Sequence, residues 1–184
     1  MCASRPARRS TRSGCPARVI SAFTRSPLDR AGHLRKDEAW LKAAMDDNTQ
    51  TLLVVFNKGR PFLFQSGDGL FVRWMANHVY AELGDKELPL IFLGVDGVGS
   101  NYFACGIADP AALEDMGTFE ELRGALPRLE ADKAPIVGTA KALLDWHGRN
   151  RFCSNCGITT RVVEAGWVRK CDACNAEHYP RVDP

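Results

Sequence analysis

The stretch that decides the fold is Cys153–Pro184, CSNCGITTRVVEAGWVRKCDACNAEHYPRVDP. Its four cysteines stand as two pairs, Cys153-x-x-Cys156 and Cys171-x-x-Cys174, with 14 residues between the pairs. Each Cys-x-x-Cys turn lets its backbone amides face its own sulfurs. Two such turns put four thiolates on a tetrahedron about one zinc ion, at a Zn–S distance of about 2.3 Å. The chain must turn sharply after each pair. Gly157 and Asn175 stand at those places, and they are the residue types that adopt positive φ most easily. Between the pairs, RVVEAGWVRK reads as two short strands around Glu164-Ala165-Gly166. The pattern is that of a zinc ribbon, with Cys153, Cys156, Cys171 and Cys174 as metal ligands.

Two disulfides or a redox dithiol are the alternatives. A redox centre uses one Cys-x-x-Cys on a helix rather than two separated by a hairpin, and nothing in the sequence resembles the apolar centre of a secretory signal, so a reducing, cytoplasmic compartment is expected. Four sulfurs close the coordination sphere, which makes the zinc structural rather than catalytic. Its binding, on the order of 10 kcal/mol or more, would hold together a segment too poor in apolar residues to fold alone. Arg149, Arg151, Arg161, Arg169 and Lys170 lie close by and are expected to offset the negative charge of the thiolates. His178 could in principle join the metal, but with four cysteines present it is not needed.

Working towards the N-terminus, APIVGTAKALLDWHGRN is the clearest helix. Pro135 suits a first turn, Val137, Ala140, Leu144 and His147 share one face, and Gly148 ends it. LPLIFLGVD and NYFACGI flank the Gly-rich GVGS as a hairpin, and TLLVVFNKGRPFLF is a second hairpin turning at Asn57-Lys58-Gly59. GLFVRWM adds a strand and ANHVYAEL a short helix. Asp109-Pro110 and Thr118-Phe-Glu-Glu121 carry helix-start signals, the latter as a capping box. A further helix is predicted from about Arg35 to Met45. The fold class is α+β: a mixed α/β domain with a hairpin-built sheet, followed by the ribbon. The expected divisions are a disordered basic arm at 1–22, the α/β domain at 23–148, and the ribbon with a linker at 149–184, the last two with separate cores.

Among 184 residues the net charge is +2. Residues 1–18 hold five arginines and no acid, whereas residues 23–148 hold 13 basic and 18 acidic residues. A folded part with net negative charge argues against a protein built to grip phosphate backbones. No apolar run approaches the roughly 18 residues of a membrane span, so no membrane partner is expected. The arm resembles an organelle transit peptide, or non-coding sequence translated from an upstream start codon; its lack of helical apolar periodicity favours the second. Cys2 and Cys15 fall in the arm and Cys105 in a strand. His33 and His78 read as surface or core, and Glu114-Asp115 and Glu120-Glu121 as solvated faces. GVDGVGS lacks the Lys-Ser/Thr ending of a P-loop and lies between strands.

SPLDRAGHLRKDEAWL, FLGVDGVGSNYFACGI, the helix running into RFCSNCG, and the closing HYPRVDP together resemble the NADH pyrophosphatase branch of the Nudix hydrolases, from about Phe23 to Pro184. That resemblance implies an N-terminal α/β domain, a zinc ribbon and then a Nudix domain. It also implies an NAD(H)-type dinucleotide as substrate, RNA only as a NAD-capped substrate, and assembly as a homodimer. In the family, Glu residues of a Nudix box hold Mg²⁺ or Mn²⁺ against the pyrophosphate and activate water. The box needs an Arg-Glu dipeptide followed by paired Glu and a Gly, and Arg-Glu occurs nowhere here. The expectation is therefore no catalytic residue and no cofactor-binding residue in this chain. The catalytic Nudix domain is missing, with Mg²⁺ or Mn²⁺ belonging to it alone, and the 184 residues are a truncated product or a fragmentary gene model. A stand-alone ribbon that docks RNA or a protein is the alternative.

Overall fold

The computed structural model describes residues 26–181. The predicted arm, with Cys2 and Cys15, lies outside the described residues. A 3-10 turn at Gly32–Lys36 leads into helix α1, Glu38–Asp46. Asp37 caps α1, its carboxylate accepting from the Trp40 amide at 2.9 Å. Strands β1 (Thr51–Asn57) and β2 (Arg60–Ser66) form the first hairpin, turning through Lys58 and Gly59 at φ 48° and 76°. β3 (Gly69–Val72) pairs antiparallel with β2, and the short helix α2 spans His78–Leu83. β4 (Ile91–Val95) and β5 (Asn101–Gly106) form the second hairpin. β6 (Thr118–Phe119), α3 (Leu122–Ala125) and the long helix α4 (Ala134–Arg149) complete the domain.

The two hairpins join through β1 and β5, which run parallel with Leu53 opposite Phe103 and Val55 opposite Cys105. The principal sheet order is β3-β2-β1-β5-β4. β1 and β5 lie at its centre with cover on both faces, which is why TLLVVF and YFAC read as unbroken apolar runs rather than as alternation. Val54, Phe56, Tyr102, Ala104, Ile91 and Leu93 face α4, where Val137, Ala140 and Leu144 meet them. Leu53, Val55, Phe92, Phe103 and Cys105 face the other way, towards Trp40, Leu41 and Val79 of α1 and α2. The expected face of α4 is buried, His147 included.

One start signal fails. Thr118 does not cap a helix: it lies in β6 opposite Leu63, and its hydroxyl donates to Glu120 at 3.2 Å. The capping-box spacing is present, but pairing with β2 takes the backbone first.

After α4 the chain enters a three-stranded antiparallel sheet: β7 (Arg161–Val163), β8 (Val168–Lys170) and β9 (Glu177–His178), in the order β7-β8-β9. The β7–β8 corner is Glu164–Gly166, all three residues at positive φ. This corner overturns the expectation of two separate cores. Trp167 and Val168 belong to the same buried cluster as α4 and β4, while Ala165 packs on the cluster at the opposite sheet face. The corner thus straddles edge strand β4. The Trp167 indole donates to the Phe92 carbonyl at 2.6 Å, satisfying an acceptor that an edge would leave open. Gly166, at φ 90°, sits where a Cβ would come within 2.8 Å of the Ile91 side chain and 3.1 Å of its Cα. Only a residue without a side chain permits that approach.

Residues from the first loop close over the same corner. Arg35 stacks on the Trp167 ring at 3.7 Å, and Lys36 pairs with Glu164 at 3.0 Å. Beneath it, the buried His147 ring sets Nε2 2.8 Å from the Gly166 carbonyl and Nδ1 3.0 Å from an Arg169 guanidinium nitrogen. Arginine can only donate, so Nδ1 is the acceptor and Nε2–H donates to Gly166. Burial, together with the Arg169 charge, holds His147 down at about 4 from its ordinary 6.5.

Candidate metal centre

The two cysteine pairs adopt the same local geometry. The Cys153 amide donates to the Ile158 carbonyl at 2.8 Å, and the Cys171 amide donates to Ala176 at 2.9 Å, each bond closing across five residues. The residue four places after each first cysteine is Gly157 at φ 77° or Asn175 at φ 58°, the two positions the sequence marked for positive φ. Inside the first turn the Asn155 amide points at the Cys153 sulfur at 3.4 Å.

These turns bring Cys153, Cys156, Cys171 and Cys174 together with all four sulfurs within 4.8 Å of one another. The separations are 3.6 Å for Cys153–Cys174 and 3.5 Å for Cys156–Cys171. Sulfurs at about 2.3 Å from a tetrahedral zinc stand about 3.8 Å apart. Donor type, number and spacing therefore fit zinc, and the sphere is closed. Cys153 and Cys171 are buried, whereas Cys156 is exposed.

The basic residues expected to offset the thiolates are mostly engaged elsewhere. Arg161 pairs with Asp172 at 2.8 Å and Lys170 with Glu177 at 3.5 Å. Arg151 pairs with Glu87 across the domain boundary. Arg169 turns inwards to Thr160, at 2.8 Å to its hydroxyl and 2.9 Å to its carbonyl, and to His147. Two non-ligand side chains reach the sulfurs: that of Asn155 hydrogen-bonds Cys174, and His178 sets its Nε2 3.3 Å from Cys153 Sγ. Spacing alone could not find the His178 contact, because it depends on β9 pairing with β8. Cys105 is buried in β5 and its thiol is pushed up to about 12 by that burial, so it is a core residue. His33 and His78 are exposed.

A family model described as the NADH pyrophosphatase-like rudimentary NUDIX domain matches residues 50–146, and one for the NADH pyrophosphatase zinc ribbon domain matches residues 149–179. The chain belongs to the NADH pyrophosphatase branch of the Nudix hydrolases. Nudix hydrolase 19, chloroplastic, of Arabidopsis thaliana is 31% identical over 70% of this chain and 35% of its own length. Human NAD-capped RNA hydrolase NUDT12 is 28% identical over 88% of this chain and 44% of its own. NAD-capped RNA hydrolase NudC of Mycobacterium tuberculosis is 30% identical over 91% and 51%. The chain thus spans between about a third and a half of the length of these curated relatives. The rudimentary Nudix character of the sheet domain was not legible in the residues: α4, its long helix, carries no pair of glutamates to mark it.

Proposed function

We propose that these 184 residues are the non-catalytic part of an NAD(H) diphosphatase-like Nudix hydrolase, a scaffold for assembly rather than chemistry. The observation that carries the reading is the donor set. Among the described residues, the one group of three or more metal-donor side chains is the four cysteines, and a closed sulfur sphere leaves no position for a water nucleophile. Pyrophosphate cleavage calls for Mg²⁺ or Mn²⁺ held by carboxylates and phosphate oxygens. The sequence has no Arg-Glu dipeptide from which a Nudix box could start. The assembled enzyme would take an NAD(H)-type dinucleotide, or RNA capped with one, as the names of two of the relatives suggest. Mg²⁺ or Mn²⁺ would belong to the catalytic domain, and zinc to the four thiolates. Homodimer formation and a cytoplasmic location complete the proposal.

The test is AMP release from NADH with Mn²⁺ present. The chain alone should release none, and the same chain joined in frame ahead of a catalytic Nudix domain should release it. Turnover by the chain alone that survives repurification, and is lost on mutating one of its residues, would overturn the reading.

A further inference from the structure

We propose that His178 is a positioning residue of the metal centre: its Nε2–H donates to the Cys153 thiolate and slows release of the ion. The placement is built into the fold. Backbone pairing sets His178 opposite Arg169 in the β8–β9 ladder. From there the ring reaches past its own cysteine pair to a ligand of the other pair, 3.3 Å from Cys153 Sγ. Its second nitrogen faces the Ser154 hydroxyl at 3.4 Å. A hydroxyl donating to Nδ1 leaves the proton on Nε2, the nitrogen aimed at sulfur.

The sulfur needs such a donor. Arg151, Arg161, Arg169 and Lys170 have other partners. Cys153 Sγ instead faces the Asn155 amide from its own turn and the imidazole from the end of the chain. Donors to a ligating thiolate spread its charge and resist its protonation, so the ion is harder to remove. The His178 donor has a second effect that the amide lacks. Because it comes from beyond the second cysteine pair, it fastens that end of the ribbon to the first pair, and opening the site must break it.

This inference rests on zinc occupying the four cysteines. The experiment follows zinc transfer from the full chain to an excess of a chromogenic chelator. His178→Ala and His178→Phe should release zinc about 10-fold faster or more, the size of effect that partners of metal ligands show. His178→Gln, whose amide N–H reaches to a similar place, should stay close to the parent rate. A His178→Ala chain that loses its zinc during purification while His178→Gln keeps it counts the same way as fast release. In the cobalt-substituted protein, His178→Ala should shift the thiolate charge-transfer bands and leave the tetrahedral four-sulfur ligand-field bands in place. Release from His178→Ala at the parent rate overturns the proposal, as does His178→Gln releasing as fast as His178→Ala. Ligand-field bands of a nitrogen ligand in the parent would make His178 a ligand and overturn it too. A parent protein that carries no zinc overturns the metal reading itself, and is told apart from the other outcomes by metal analysis before the transfer begins.

Discussion

The sheet domain and the ribbon solve the same problem with opposite means. In the sheet domain, Leu53, Val54, Phe62, Leu63, Ile91, Phe92 and Ala104 are all wholly buried, and apolar area removed from water is the stabilising term. In the ribbon the buried apolar side chains are Cys153, Cys171, Trp167 and Val168. The first two belong to the four-cysteine cluster, and the last two lie in the sheet domain's core. The ribbon therefore has no hydrophobic interior of its own. One end is held by four sulfurs, the other by its neighbour, and the three short strands between are too small to stand alone. A module can thus look independent in sequence, with its own ligand pattern and its own family model, and still be half of another module's core.

Removing the metal should break the comparison most forcefully. Losing a contribution on the order of 10 kcal/mol unfolds the ribbon. Because Trp167 then leaves the sheet domain, that domain should weaken as well. Cys171→Ser, or chelation of the parent, should give a urea unfolding midpoint for the sheet domain well below that of the zinc-loaded protein, with a red-shifted tryptophan emission. A midpoint unchanged by chelation would make the two cores separate after all.

The next largest effect isolates the shared corner with the metal in place. Trp167→Ala removes a side chain that is 7% exposed, donates to Phe92 and carries the stacked Arg35. A substitution of this kind costs about 3–5 kcal/mol, a large share of the 5–15 kcal/mol typical of a whole domain. The zinc content of purified Trp167→Ala should stay at the parent level, because the cysteine turns close through their own backbone bonds. If zinc and stability fall together, the corner supports the metal site rather than the sheet.

Much of this was readable in the residues, and the exceptions share a cause. The gathering of the four cysteines, the two positive-φ positions after them, both hairpins and the buried face of α4 are local or periodic signals, and all recur in the structure. The parallel β1–β5 pair, the reach of His178 to Cys153 and the burial of Trp167 each join residues at least 25 positions apart. No spacing rule encodes such contacts. The arginines near the cysteines show the same limit from the other side. Proximity in sequence suggested charge offset, but Arg169 and Arg151 are drawn to Thr160 and Glu87 by the fold. Thr118 had the right neighbours for a cap and lost to a strand partner from far upstream.

The smallest effect expected is on pH dependence, and it reports on the corner without cutting it. His147 is wholly buried between the Gly166 carbonyl and Arg169. Its folded-state value, about 4 against an ordinary 6.5, is lowered first by burial and then by the Arg169 charge. A folded value below the unfolded one means that the unfolded chain takes up the proton first. The stability that His147 confers as a neutral ring is then fully present above about pH 6.5 and is lost as pH falls towards about 4. A difference of that size corresponds to about 3 kcal/mol across the window. Thiolate protonation also loosens a zinc site in acid, so the parent's own pH curve mixes two causes. His147→Gln separates them: its amide can still donate to Gly166, its charge does not change with pH, and the cysteines are untouched. Urea unfolding at steps between pH 7 and pH 4.5 should show the parent losing stability faster than His147→Gln, with the two slopes converging above pH 6.5. Parallel slopes throughout would mean that acid acts on the ribbon through its sulfurs alone, and that the ring beneath Gly166 plays no part in coupling the two regions to pH.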